Sequence, residues 1–264
     1  MARWYRVEGF LLALATASSI MILFLLAPIA ALIIAVDPKT LEEVFITEPS
    51  LSREAWLALA TTLKASATST AILVALGVPL AYLLARVSFK GREVVEALID
   101  VPLMIPHAVA GIMVLMAYGR RGVLGPLTAG LGVAVDDSFW GVVAAMTFVS
   151  APIMVDTVKA GFRGVNPTLE YVARSLGASW WRAFTTVTLP LTIESLVTGG
   201  LLSWARAISE VGAILIVAYY PKTINVLIVE WFNTYGLRYA ASLSLVLVAL
   251  SLAVFTGIRV VARK

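Results

Sequence analysis

An all-α integral membrane protein with six transmembrane helices is the fold class that this sequence predicts, and three observations predict it. Of 264 residues, 60% are hydrophobic and only 14% charged, and the mean hydropathy is +0.93. Soluble domains carry about 25% charged residues. Five uncharged runs recur along the chain: Gly9–Val36, Ala65–Ala85, Val101–Gly119, Ser138–Val155 and Tyr239–Ile258. A sixth stretch, Thr192–Ala218, is apolar apart from Glu194, Arg206 and Glu210. Each approaches the roughly 20 apolar residues that cross the hydrocarbon of a bilayer. The third observation is the placement of Lys and Arg, which are retained on the cytoplasmic side. With the N-terminus inside, Arg3, Arg6, Arg86, Lys90, Arg92, Lys159, Arg163, Arg174, Arg182, Arg259, Arg263 and Lys264 fall inside. Lys39, Arg53, Arg120, Arg121, Lys222 and Arg238 fall outside, a two-to-one bias that puts both termini in the cytoplasm.

The spans are expected at about 9–36, 60–85, 98–119, 138–158, 191–218 and 239–259, in one transmembrane domain covering 1–264. Arg3 and Arg6 before the first run resemble a signal peptide, and Ala13-Leu14-Ala15 resembles its cleavage site. The apolar stretch continues well past that site, beyond the roughly 7–15 residues of a cleavable signal, so it reads as an uncleaved span. Asp37–Glu54 reads as the one sizeable outer loop, acidic and with Pro38 and Pro49. Arg120–Asp137 is glycine-rich and reads as an irregular cap or a plain connector. Pro79, Pro102, Pro106 and Pro152 are expected to kink their spans. The absence of Cys removes disulfides and thiolate chemistry.

The cytoplasmic segment at about 160–190 has its own pattern. Asn166 can cap a helix beginning at Pro167. That helix runs to Leu176 and stops at Gly177, a residue that tolerates the left-handed conformation of helix ends. Ser179 can cap a second short helix through Thr186, and Pro190 keeps it from merging with the next span. Tyr171, Trp180, Trp181 and Phe184 are expected to be exposed there. They form either a docking surface or an aromatic belt at the lipid headgroups.

At this loop the sequence resembles the permease subunits of ABC importers, whose signature is Glu-Ala-Ala, three residues, Gly, nine residues, Ile, one residue, Leu-Pro. Here Tyr171-Val172-Ala173 is followed by Arg174-Ser175-Leu176 and Gly177, and nine residues later by Val187, Thr188, Leu189 and Pro190. Ala173, Gly177, Leu189 and Pro190 match in identity, while Tyr171 and Val172 depart and Glu170 sits one place early. Gly77–Arg86, Phe89–Arg92, Val101–Pro106, Tyr118–Gly122 and Ala205–Ala213 look like the molybdate/tungstate/sulfate branch. The likeness covers roughly Leu57–Lys264. His107 departs from it, standing where Pro or a small residue is expected.

The resemblance implies a type I importer bundle with a cytoplasmic coupling-helix loop. Two permease copies, as a homodimer, enclose a path for molybdate, tungstate or a related oxyanion such as sulfate. Two ATPase subunits dock on the inner loops and a binding protein delivers the anion from outside. It implies coupling roles for Glu170, Tyr171, Ala173, Arg174, Leu176, Gly177, Ala178, Val187, Leu189 and Pro190. The sequence itself has no GxxxxGK[ST] loop to cradle ATP, so ATP and Mg are expected on the partner chain and no cofactor on this one. It has no HExxH, no Ser-His-Asp set and one His, so no catalytic or metal-ligating residue is assigned. The inner helical pair lacks the clustered basic residues that nucleic acid would need. A secondary transporter, or a permease for a different small solute, is the alternative; no internal repeat of the kind common in secondary transporters is visible.

Polar residues within spans are the candidates for the path: Thr62, Ser66, His107, Ser150, Ser203, Arg206, Ser209 and Glu210. Ionisable groups in a bilayer mark function by default. Arg206 and Glu210 stand four apart and can pair on one helix face, either attracting an anion or neutralising each other as a structural pair. Thr62 and Ser66 belong to a hydroxyl-rich stretch suited to helix packing or to an oxyanion path. Asp156 and Lys159 can pair at the inner end of the fourth span.

Overall fold

The computed structural model describes residues 2–262, and all regular structure among them is helical. Arg263 and Lys264, sorted above to the inner side, lie outside the described residues. Helix α1 (Ala2–Ala35) contains Pro28 without interruption. Its stretch Gly9–Ala35 buries nothing inside the protein, as expected of a helix that is apolar all round and surrounded by an apolar medium. The expected outer loop is instead largely helical. Asp37 accepts a hydrogen bond from the backbone N–H of Lys39 and starts α2 (Pro38–Glu42), which widens into a π-turn at Glu43–Thr47. Pro38 and Pro49 each take the first helical position, where a missing N–H costs no bond. Both prolines therefore start helices.

Helix α3 (Pro49–Ile72), a π-turn at Leu73–Gly77 and α4 (Val78–Arg86) make one apolar stretch, longer than the expected 60–85. The widened turn lies directly before Pro79 and accommodates its ring and missing N–H. The third span is not continuous. Helix α5 (Arg92–Met104) ends at Ile105, which is extended because Pro106 follows, and α6 (His107–Tyr118) begins anew. Helix α7 (Gly125–Gly130) lies within the glycine-rich segment. Ser138 caps α8 (Phe139–Gly164), which runs through Pro152 unbroken.

After α8 come α9 (Thr168–Ser175), then α10 (Trp180–Ala183), a π-turn at Phe184–Thr188 and α11 (Leu189–Leu191). Pro190 does not end this helix, again because a wide turn precedes it. The break falls at Thr192, whose hydroxyl bonds back to the carbonyl of Thr188 at 2.9 Å, an interaction that bends helices. Helix α12 (Ile193–Ile208) leaves at 71° to its predecessor. The expected span 191–218 breaks again at Ser209–Val211 before α13 (Gly212–Val217). Helix α14 (Ile224–Tyr235), which hydropathy did not single out, precedes α15 (Leu237–Ala262). Among the described residues, four helical stretches are each long and apolar enough to cross a membrane, and the bent pair around Thr192 makes a fifth. The six expected spans are thus not six unbroken helices.

Helix α8 is the axis of the bundle. Met146 and Val149 pack with Val114 of α6 and Ile214 of α13, while Met154, Val158 and Phe162 pack with Leu84 of α4. A separate cluster joins Val44, Leu59, Leu227, Trp231 and Leu243 of α2–α3, α14 and α15. Ion pairs hold both ends. At the α2 end, Lys222 meets Glu54 and Glu230, each at 2.7 Å. Burial alone would lower the Lys222 ammonium, but its bonds to Glu230 and Glu54 outweigh that and raise its pKa above the usual lysine value. At the other end, Glu96 of α5 contacts Arg92, Lys159 and Arg163. The Arg92 hydrogen bond, with help from Lys159 and Arg163, holds its carboxyl below the usual range. Asp156 pairs with Lys159 at 2.6 Å.

Helices α6 and α13 approach each other closely. A Cβ on Gly111 would lie 2.7 Å from the carbonyl oxygen of Ala213, and one on Gly212 would lie 2.6 Å from Cβ of His107. Small residues let membrane helices meet this closely. Gly111→Ala is expected to destabilise the protein by about 1–3 kcal/mol through overpacking, read as a lower thermal midpoint in detergent. An unchanged midpoint would show that the two helices separate at no cost.

Candidate functional site

The loop after α8 is built by local chemistry. The Asn166 side chain accepts from the N–H of Thr168 at 3.0 Å and starts α9. The helix ends on Gly177, whose φ is +93°. There the N–H of Ala178 bonds to the carbonyl of Ala173 and that of Gly177 to Arg174, the double closure of a left-handed helix end. Ser179 then accepts from the N–H of Arg182 and starts α10. The Arg174 guanidinium stacks 3.5 Å over the Trp180 ring, bracing the turn.

Large apolar side chains stand out from this turn, foremost Tyr171 (59% exposed), Leu176 (83%), Trp180 (55%) and Trp181 (73%). Phe184 is different from expectation. It is half-buried, 4.8 Å from the Tyr82 ring and 6.1 Å from Phe162. Val187 and Leu189 are also half-buried, while Pro190 is exposed. An open cavity of about 940 Å³ separates the loop from α4, lined by Val78, Tyr82, Leu83, Tyr171, Trp180 and Trp181.

Glu170 also borders this cavity but is itself buried. Its Oε2 accepts from the Tyr82 hydroxyl at 2.9 Å, and its Oε1 from Thr188 at 2.6 Å and Arg86 Nε at 3.1 Å. Arg86 also donates to the carbonyl of Val165 at 2.9 Å. The Tyr82–Arg86 pair was missed in the sequence; its signal is a tyrosine and an arginine one helical turn apart at the loop end of a span.

The path candidates divide into two groups. Thr62, Ser66, Ser150 and Ser203 are buried. Thr62 and Ser203 bond to backbone carbonyls one turn back, Ser66 to Leu63, and Thr62 also accepts the N–H of Ile224, fixing the start of α14. The Ser150 hydroxyl has no hydrogen-bond partner among the described residues. Ser209 is exposed and bonds back to Arg206.

The structure brings the other three together at the two helix breaks. Glu210 Oε2 lies 2.9 Å from Arg206 Nη2 and 3.1 Å from His107 Nδ1, and His107 Nε2 lies 3.0 Å from the same Arg206 nitrogen. These are close charge contacts rather than aligned bonds at Oε2. Oε1 of Glu210 accepts the N–H of Ala213 at 2.7 Å and so caps α13. Asn225 of α14, another residue sequence reading missed, donates to the carbonyls of Ile208 and Glu210. Glu210 is fully buried and His107 half-exposed.

A family model described as "Binding-protein-dependent transport system inner membrane component" matches residues 77–264. The chain is 50% identical over 195 residues, covering 74% of each chain, to the molybdate/tungstate transport system permease protein WtpB of Thermococcus kodakarensis. It is 36% identical over 159 residues to the molybdenum transport system permease protein ModB of Escherichia coli, covering 60% of this chain and 69% of that one. Among solved structures, it is similar to a bacterial ABC transporter involved in the import of the acidic polysaccharide alginate. The TM-score is 0.74 at 19% identity, covering 100% of this chain and 99% of the other, and at that identity the likeness is one of fold.

Removing one partner of a buried charge pair costs about 3–5 kcal/mol, whereas replacing both is far milder. Arg206→Met is therefore expected to lower thermal stability in detergent strongly. The double variant Arg206→Met/Glu210→Gln, which keeps an acceptor for Ala213, is expected to regain most of the loss. Equal destabilisation by both variants would show that the pairing contributes little.

Proposed function

The chain belongs to the family of binding-protein-dependent transport system inner membrane components, and we propose that it forms the translocation path for molybdate or tungstate. As a member of that family it is the multi-pass, non-catalytic permease subunit of an ABC importer. The observation that carries the reading is the loop at 160–190. A braced turn presents Tyr171, Leu176, Trp180 and Trp181 to the outside on the end of the bundle where Glu96, Lys159 and Arg163 cluster. Large exposed apolar patches on a polar face mark protein docking, and the ATPase is the partner that the motif spacing supports. The Lys/Arg bias supports placing this end, and both termini, in the cytoplasm.

In this reading two copies of the chain enclose the path, two ATPase subunits bind ATP and Mg beneath them, and a binding protein delivers the oxyanion on the α2 end. Ala173, Arg174, Gly177 and Ala178 shape the turn, while Tyr171, Leu176 and the tryptophans meet the ATPase. Val187, Leu189 and Pro190 carry its motion to Thr192 and α12. The Arg206–Glu210–His107 group is where a passing dianion meets positive charge, because Arg206 holds a partner it can exchange. The hydroxyls of Thr62, Ser66 and Ser203, engaged with their own helices, serve packing.

Reconstituted in liposomes with the ATPase that co-purifies with it, the subunit is expected to drive ATP-dependent uptake of molybdate or tungstate; alone it is expected to hydrolyse no ATP. A valine at Gly177 must adopt a left-handed φ, which costs about 1–2 kcal/mol. Gly177→Val is expected to cut uptake at least about tenfold while the subunit stays folded and monodisperse. Undiminished uptake by that variant would count against the coupling role of the turn.

A further inference from the structure

We propose that Glu170 is a positioning residue of the transport cycle: it fastens the coupling loop to α4 and to the helix that leads into α12, so that displacement of the loop moves both. The proposal rests on the permease reading above and names the device that makes the loop effective. Glu170 lies on α9 next to Tyr171, yet it is 4% exposed while Tyr171 is 59% exposed. The same short helix thus turns one residue to the docking face and the next into the bundle.

Both carboxylate oxygens are committed. Oε2 takes Tyr82 of α4; Oε1 takes Arg86 of α4 and Thr188 just before α11. Arg86 in turn holds the carbonyl of Val165 at the end of α8. One carboxylate therefore joins α9 to three neighbouring segments. Among the described residues no other α9 side chain hydrogen-bonds to a spanning helix: the Ser175 hydroxyl bonds back to the carbonyl of Val172, and Arg174 stacks on Trp180.

The surroundings argue against a role limited to stability. Tyr82 sits edge-on to Phe162 at 5.3 Å and to Phe184 at 4.8 Å, so an apolar side chain in place of Glu170 would find apolar partners. A buried ion pair is often no more stable than such a replacement. What the carboxylate adds is direction: hydrogen bonds to three named donors, two of them charge-assisted by its own charge alone and one by both partners. A packed contact slides; this linkage holds α9 in register with α4 and α11. The open cavity beside it is bounded by the same Tyr82 and Trp181, so between loop and α4 the Glu170 bonds are joined by the ring contact of Phe184 with Tyr82, which is free to slide.

The test uses the complete complex of permease and ATPase in liposomes with molybdate. Glu170→Gln is expected to lower molybdate taken up per ATP hydrolysed about tenfold, and Tyr82→Phe and Thr188→Val to lower it by smaller factors. Because the chain has no Cys, Lys90→Cys after α4 and Ser175→Cys on α9 give it two unique labelling sites, used with a cysteine-free ATPase and one labelled permease copy per complex. With ATP and no oxyanion, the label distance is expected to stay single and constant in the otherwise wild-type complex, and to broaden or shift with Glu170→Gln. A wild-type uptake-to-ATP ratio in Glu170→Gln overturns the proposal. So does loss of ATPase co-purification, which would make Glu170 a docking contact. If Glu170→Gln does not fold, the ratios of Tyr82→Phe and Thr188→Val decide, and unchanged ratios in both overturn it. A wild-type complex that takes up no molybdate or tungstate strikes the assigned substrate and leaves the label distances to judge Glu170.

Discussion

Inside a bilayer no water is available to satisfy a backbone group released from a helix, and this chain interrupts its helices in the middle of apolar stretches. Everything around those interruptions answers that constraint. Helix α12 ends at Ile208 and α13 starts at Gly212, which frees carbonyls on one side and N–H groups on the other. Asn225 takes the carbonyls and the Glu210 carboxylate takes an N–H. A carboxylate buried for that purpose needs a cation, and Arg206 one turn back supplies it. The break at Ile105–Pro106 brings His107 to the same place, where its ring fills the remaining side of the pair. The glycines follow from the same logic, because two helix ends can share one set of polar groups only if their backbones nearly touch.

The same reasoning organises the other end of the molecule with a different currency of contact. There the chain leaves α8 for a segment whose own residues close it: an Asn start, a left-handed Gly end, a Ser restart and an Arg–Trp stack. Such a unit is stiff by itself but has no intrinsic attachment to the bundle. Its attachments are the aromatic contacts of Phe184 with Tyr82 and Phe162 and the hydrogen bonds of Glu170. Apolar contacts are tolerant of sliding, and hydrogen bonds to three donors are not. Stiffness within the loop and directionality at its base are the two properties that a moving part needs.

Much of this was legible in the sequence, and what was not has a physical reason. The spans α1, α8 and α15 follow from long uncharged runs, and the turn at Gly177 from the cap residues around it. Pro106 was expected to kink its span, and the structure breaks the helix there outright; the full extent of that break and of the one at Ser209–Val211 escapes hydropathy, which sums side chains and is blind to backbone direction, so α5 and α6, or α12 and α13, read as one stretch. Pro190, expected to stop its helix, misled in the opposite sense. Pro79 and Pro190 sit after π-turns and Pro28 and Pro152 inside intact helices, so none of them ends a helix. The outer loop was misjudged because its acidic residues and two prolines suit helix starts as well as coil. Arg206 and Glu210 were readable as a pair because four residues separate them, whereas His107, Asn225 and the partners of Glu170 stand far away in sequence, where no local pattern points to them.

The distribution of polar side chains also separates what must be rigid from what can change. Thr62, Ser66 and Ser203 give their hydroxyls back to the helix that carries them, which removes them from any exchange with a passing solute. Arg206 is bound to side chains only, Glu210 and His107, and a side-chain partner can be exchanged without breaking a helix. His107 is half-exposed and Glu210 fully buried, so the group has one face toward open space and one toward the core. An anion arriving from the open face would compete for Arg206, while the Ala213 N–H keeps Glu210 in place. Such an exchange leaves the buried Glu210 carboxylate sharing its cation with a dianion, so the anion is held only weakly. A permease needs such a site to be weak, since a dianion held by an unopposed arginine in a medium of low dielectric would not leave. In the proposed reading the buried glutamate serves release as much as stability.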